Sequence, residues 1–268
     1  MPELPEVEFA RSVIERAGLD RLVADVDDTD AYVCRPHRPG DLRAVLVGRS
    51  LTAVHRRGKS MWCDTGADGP ELGIHLGMSG KIVIADPDGH EIDGGDYWEG
   101  RRVPGDYRWA RFTLTFADGG RLMLVDPRRL GRVRLNPPVG ELGPDATAVT
   151  EEAFARAVTA GTAPVKAHLL EQHRIAGIGN LLADEILWQA MVHPARPGDE
   201  VTRPELKRLF AATQDAVRDA LRDGGVHTLP FIAHRRPDGR CPRDGTPLAH
   251  GTIGGRTTWW CPQDQPGI

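Results

Sequence analysis

In PEVEFARSVIERA the apolar residues Val7, Ala10, Ile14 and Ala17 recur at helical spacing, so residues 5–17 are predicted to form a helix. Pro5 suits its first turn, and Glu6 and Glu8 suit the positive end of its dipole. From about residue 20 to 136 the texture changes to short β-like runs between turn signals: LRAVLVGRSLTAVHRR, KSMWCD, GKIVIAD, RWARFTLTFADGGRLMLVD and GRVRL. FADGGRLM predicts a hairpin with Asp118-Gly119-Gly120 at its tip. These runs read as a β-sandwich or flattened barrel entered by the N-terminal helix. NPPVGELGPDA is a proline- and glycine-rich linker. Beyond it the helical period returns in TEEAFARAV, VKAHLLEQ, NLLADEILWQAM and RPELKRLFAATQDAVRDALRDGG. Thr150 is the expected N-cap of the first of these, and Gly224-Gly225 the stop of the last. The predicted organisation is α+β and multidomain: residues 1–136, a linker at 137–149, helices over 150–229, and a short turn-rich tail over 230–268.

Composition narrows the function classes. The 268 residues are 40% hydrophobic and 27% charged, as in an ordinary globular protein. No long apolar run occurs and the N-terminus is acidic, which argues against an export signal or a membrane span. A net charge of −4 does not advertise nucleic-acid binding. The charge is uneven, however: ADVDDTD is acidic, whereas RLMLVDPRRLGRVRLN and HRRPDGRCPR are basic stripes able to meet phosphates. Arginine dominates the cations, and Lys59, Lys81, Lys166 and Lys207 are the only lysines. Arginine cannot copy a compact ammonium where one is needed, so each lysine carries more information. Four cysteines without an export signal point to a reducing compartment, with Cys34 and Cys63 as buried or incidental thiols.

Three stretches carry candidate chemistry. In MPELPEVE, removal of Met1 would leave Pro2 with a free secondary amine, and an α-amino group has a pKa of roughly 7.7–8.0. Such an amine can attack a carbonyl and form an iminium, with Glu3 and Glu6 near it for proton transfer. An ordinary helix start explains the same residues. HRIAGIGN joins two helical segments by a glycine turn and gives Asn180 as a natural N-cap; outward N–H groups there suit a phosphate, although a plain helix–turn–helix connection has the same pattern. In the tail, Cys241 with Asp244 and Cys261 with Asp264 form two Cys-x-x-Asp steps separated by sixteen residues. Two Cys-x-x-Cys steps would signal zinc. A Cys2Asp2 set, or one in which His250 replaces an aspartate, is an alternative to a hairpin that folds without metal, and the second is the expectation.

Taken in order, MPELPEVE, RRGK, HLGMSG, DPRRLG, VKAHLLEQHRIAGIGN and GGRTTWWCPQDQ resemble, nearly end to end, the formamidopyrimidine-DNA glycosylase / endonuclease VIII family of base-excision repair enzymes. The resemblance implies an N-terminal β-sandwich with catalytic residues, a helix–two-turn–helix DNA-binding domain and a C-terminal β-hairpin finger. Damaged double-stranded DNA would lie in the cleft between the halves. It implies a DNA glycosylase and abasic-site lyase in which Pro2 attacks C1′, Glu3 assists sugar ring opening, Glu6 helps orient the site and Lys59 contacts a phosphate near the lesion. β- and δ-elimination then cut the strand. Asn180, Lys166 and Arg256 match phosphate binders; Met78, Arg128 and Leu130 match the side chains that fill the gap left by the flipped nucleotide. The resemblance further implies a monomer in the cytoplasm, at the nucleoid, that needs no cofactor for its chemistry.

Departures refine the expectation. Leu130 stands where the formamidopyrimidine branch usually has phenylalanine, and Glu171 where aspartate is usual. Between Thr228 and Cys241 only LPFIAHRRPDGR is present, shorter than the loop that covers 8-oxoguanine in that branch. Oxidised pyrimidines are therefore expected ahead of 8-oxoguanine. A lyase with little base excision and a non-catalytic binder of abasic or distorted DNA are the alternatives.

Overall fold

A computed structural model describes residues 2–96 and 103–267. Met1, on whose removal a free Pro2 amine depends, lies outside the described residues. The contacts divide the chain into two compact units: Pro2 with residues 6–140, and residues 3–5 with residue 141 onward. The N-terminal helix, α1 (Leu4–Ala17), thus places Leu4 and Pro5 in one unit and its remainder in the other.

The first unit is built on two antiparallel sheets. One runs in the order β1 (Val23–Asp27), β7 (Ala110–Phe116), β8 (Arg121–Val125), β5 (Lys81–Ala85) and β6 (Glu91–Gly95). The other runs β2 (Ala53–Arg57), β3 (Ser60–Asp64), β4 (Leu72–His75) and β9 (Arg132–Leu135). Strand alternation explains the core: in β7 every second residue, Phe112, Leu114 and Phe116, is buried, while the intervening threonines are not. These pack with Ile82 and Ile84 of β5, Met61 of β3 and Ile74 of β4, and with Val7, Ala10 and Ile14 of α1. The predicted hairpin is present, with Gly119 at φ +92 between β7 and β8.

One segment read as β-like is helical. Residues Asp41–Leu46, overlapping the start of LRAVLVG, form α2. The side chain of Asp28 accepts from the backbone N–H of Gly40, Leu42 and Arg43, satisfying the donors that a short helix leaves open. Leu42 and Leu46, one turn apart, enter the core. The partner of this helix is thus twelve or more residues upstream, outside any local window.

The second unit holds α3 (Glu151–Val158), α4 (Val165–Leu170), α5 (Asn180–Gln189), α6 (Arg203–Asp223) and a hairpin of β10 (Ala249–Ile253) and β11 (Arg256–Trp260). Thr150 caps α3 through Ala153 N–H, and α6 opens with a Thr202/Glu205 capping box and ends at Gly224, φ +102. Its core gathers Phe154, Leu169, Ile178, Leu182, Ile186 and Leu209, together with Leu4 from the start of α1. A smaller cluster of Trp188, Phe231, Cys241 and Cys261 seats the tail. No described helix is long and apolar enough to cross a membrane.

Candidate active site and nucleic-acid interface

The residue after the candidate nucleophile is rigidly held. Glu3 is fully buried, and its carboxylate accepts from the N–H groups of Gly179 (3.0 Å), Leu181 (2.8 Å) and Leu182 (3.0 Å). These are donors that the start of α5 would otherwise leave open. Asn180 therefore does not cap this helix, as its type suggested; Gly179 occupies the cap position and the capping carboxylate comes from the N-terminus. The glycines of GIGN are explained by the same approach. A Cβ on Gly179 would lie 2.3 Å from Cδ of Glu3, and one on Gly177, at φ +114, would lie 2.5 Å from Leu4. Leu4 N–H also donates to Gly177 C=O. Pro2, bonded to Glu3, is buried, and Glu6 is buried in the first turn of α1.

Lys59 sits half-buried in a two-residue turn between β2 and β3, with Gly58 at φ +59 in the primed-turn conformation. Glu8, one turn beyond the first in α1, bonds Arg56 Nε at 2.7 Å, and Arg56 donates onward to Gly58 C=O at 3.1 Å. Glu8 thus orients the turn that presents Lys59, a role its helix-start reading did not suggest.

The three candidate gap fillers come from two loops that one carboxylate joins. Asp126, fully buried, accepts from Ser79 Oγ (2.5 Å), Arg128 N–H (3.1 Å) and Gly131 N–H (2.7 Å). Gly77, at φ +64, lets its loop close onto the Leu130–Gly131 backbone, where a Cβ would sit 2.4 Å from Leu130 C. Met78 and Leu130 are consequently displayed together as exposed apolar side chains, each 38% accessible, with Arg128 exposed beside them. Arg129 also has positive φ, and its guanidinium is held by Asp30 through two bonds of 2.9 Å.

His75 was not singled out from sequence. Its Nδ1 accepts from Gly77 N–H at 3.0 Å, so a neutral ring carries its proton on Nε2. The surrounding protein, with Lys59, Arg132 and Arg134, holds its pKa down to about 4, although the ring remains accessible at the surface. A neutral histidine among cations is a donor toward an anion. The signal that could have found it is its place in HLGMSG, four residues before Ser79 and three before Met78.

In the second unit Lys166, matched by motif to a phosphate binder, is engaged inside the protein. It is fully buried, its ammonium 2.6 Å from Asp184 and 2.6 Å from Thr258 Oγ1, and burial presses its pKa below the usual range. Asp184 also takes Arg235 Nε at 2.8 Å and Trp259 N–H at 3.1 Å. The lysine's charge is thus used internally, locking β11 and residue 235 onto α5. Asn180 Nδ2 donates to Thr257 C=O at 2.9 Å, which places the glycine turn against the base of the finger. Arg256 is exposed at the finger tip, after Gly254 and Gly255 at φ +60 and +70.

The tail tests the metal question. Donor atoms of Cys241, Asp244, Cys261 and Asp264 lie within 4.8 Å of one another, so distance alone admits a divalent ion. The donors have other commitments. Arg243 NH1 is 2.5 Å from Asp264 and its guanidinium lies 4.2 Å from the Trp188 ring; Asp244 accepts from Thr246 N–H at 2.8 Å. Cys261, its thiol pushed up to about 11 mainly by burial, faces Asp244 at 3.5 Å, and Cys241 accepts from Trp188 Nε1 at 3.3 Å. Two carboxylates, one already neutralised by a guanidinium, do not fit a structural zinc site, which favours sulfur and nitrogen. His250 instead packs against the Trp259 ring. Cys34 and Cys63 are buried thiols pushed up to about 12, chiefly by burial.

Comparison with known proteins places these features in one family. Residues 1–133 match the formamidopyrimidine-DNA glycosylase N-terminal domain and residues 142–230 the formamidopyrimidine-DNA glycosylase H2TH domain. The formamidopyrimidine-DNA glycosylase of Nocardioides sp. is 32% identical over 99% of this chain and 95% of its own length; that of Chloroflexus aurantiacus is 32% identical over 99% and 98%. The structure of Lactococcus lactis Fpg with abasic-site DNA superposes with TM-score 0.82 at 25% identity, covering 99% of this chain and all of that one. A complex of the same protein with FAPY-dG DNA gives the same TM-score and coverage. With both domains matched and the relatives aligned from end to end, this chain belongs to the formamidopyrimidine-DNA glycosylase family of base-excision DNA glycosylases and abasic-site lyases.

Proposed function

We propose that this chain excises an oxidised base from duplex DNA through Pro2, an oxidised pyrimidine in preference to 8-oxoguanine, and then cleaves the strand. The Pro2 nitrogen bonds C1′ as the glycosidic C–N bond breaks. Opening of the sugar ring leaves an iminium, with the ring oxygen taking a proton at Glu3, and loss of a C2′ proton begins β-elimination, followed by δ-elimination. Glu6 supports the site, Lys59 and His75 hold a phosphate near the lesion, and Asn180 and Arg256 hold phosphates on the other unit. Met78, Arg128 and Leu130 enter the vacated stack; leucine wedges there with less stacking surface than phenylalanine.

The observation that carries this reading is the pinning of Glu3 on three N–H groups of α5, because it fixes the residue bonded to the nucleophile. The lesion preference is supported by the compact segment 229–240, where Phe231 N–H is held by Glu185 and Arg235 by Asp184, leaving no extended loop to cover a purine. The finger is read as folding without zinc, on the commitments of its four donors.

Borohydride trapping with an abasic-site duplex tests the mechanism: wild type should give an adduct mapping to Pro2, and Pro2→Gly should not. Protein confirmed to lack Met1 that binds the duplex without trapping would instead be a damage binder. Single-turnover excision of an oxidised pyrimidine faster than of 8-oxoguanine is the expected lesion order.

A further inference from the structure

The outer face of the four-stranded sheet carries charge that nothing described so far answers. Pairing across β4 and β9 sets His75 opposite Arg132 and Gly73 opposite Arg134, so these four positions share one face, away from the buried Ile74–Val133 pair. They line a cavity of ≈ 360 Å³ with Ser60 and Leu130. Gly73 makes room for its wall, since a Cβ there would lie 2.7 Å from the Pro137 ring. No aspartate or glutamate is among its described lining residues.

Arg132 Nε is buried without a hydrogen-bond partner among the described residues. Burial, then the like charges of Arg35 and Arg134, press its guanidinium below its ordinary range. Two arginines lining one cavity, one of them with an unpaired buried donor and repelled by Arg35 as well, are unfavourable by themselves and favourable for holding an anion. Leu130, proposed above to wedge into the stack, borders the same cavity, so DNA seated on the wedge brings its backbone there.

We infer that this cavity is a subsite for a DNA backbone phosphodiester, held by Arg132 and Arg134 with the Ser60 hydroxyl as a neutral donor. It is a further phosphate, beyond those assigned to Lys59 with His75, to Asn180 and to Arg256, and it rests on the DNA-processing reading above. Guanidinium groups suit it because they can grip two phosphate oxygens at once.

The test is the salt dependence of binding to a duplex carrying a tetrahydrofuran abasic analogue, followed by fluorescence anisotropy. Each phosphate contact contributes roughly 0.9 to the slope of log K against log salt. Arg132→Gln with Arg134→Gln should flatten that slope by about one or more, with affinity falling alike for all duplex sequences. The corresponding double lysine variant should restore most of the slope, and Arg156→Gln, on the exposed face of α3, should leave it at the wild-type value. An unchanged slope in the double glutamine variant, while wild type binds, overturns the subsite alone. An equal loss in Arg156→Gln also overturns it, showing a general charge effect. A wild type that fails to bind the abasic duplex overturns the DNA-processing reading itself. Should the double variant lose its melting transition, Arg134→Gln by itself carries the comparison.

Discussion

Ser79 donates a hydrogen bond of 2.5 Å to the buried carboxylate of Asp126. That contact joins the HLGMSG and DPRRLG loops, because the same carboxylate also takes the N–H groups of Arg128 and Gly131. Asp126→Asn would turn an NH2 group toward one of these donors, at about 1–3 kcal/mol. Urea unfolding should show that loss, and the ratio of abasic to undamaged duplex affinity should fall with it. Ser79→Ala should cost less, about 1 kcal/mol, and leave the ratio nearer wild type.

Gly179→Ala tests the anchor of the nucleophile without replacing a candidate catalytic side chain. The added Cβ would meet Glu3 Cδ at 2.3 Å, so Glu3 and the attached Pro2 must move. Displacement on the scale of an ångström can reduce rate on the order of 10²-fold. We expect the borohydride adduct to form that much more slowly in single-turnover trapping, with duplex affinity reduced far less.

The Lys166–Asp184 pair is fully buried, so removing one partner strands a charge. Asp184→Asn should destabilise the protein by about 3–5 kcal/mol in chemical denaturation. A surface phosphate contact would behave differently, with weakened DNA binding at unchanged stability.

Protein purified without added zinc should contain none by elemental analysis, and a chelator should leave its melting temperature unchanged. Arg243→Gln should lower that temperature, since it removes the cation 2.5 Å from Asp264. About one zinc per chain would refute the metal-free reading.

The depressed pKa of His75, about 4 against an ordinary 6.5, has a stability consequence with a definite sign. Below about pH 6.5 the unfolded chain binds a proton at this residue that the folded chain refuses. Its cost is absent above that pH and grows as pH falls toward 4. His75→Gln should therefore gain stability relative to wild type between pH 7 and pH 5 in urea titrations of the DNA-free protein.

Local patterns determined much of this protein. The N-terminal helix, the cap at Thr150, the stop at Gly224 and the Asp118-Gly119-Gly120 hairpin are each written in a few adjacent residues, because helix period, capping and turn conformation are short-range physics. The motifs likewise supplied the candidate site residues other than His75. What they do to one another was decided by tertiary structure. Asn180 looked like the cap of α5, yet the cap is Glu3, 178 residues from Leu181 in sequence. Lys166 matches a phosphate binder by motif, and only the fold shows its ammonium enclosed by Asp184 and Thr258. α2 hid in a β-like run because its capping carboxylate, Asp28, lies on another segment. A buried charge or an open N–H must find its partner wherever the fold brings one, and that pairing has no period along the chain.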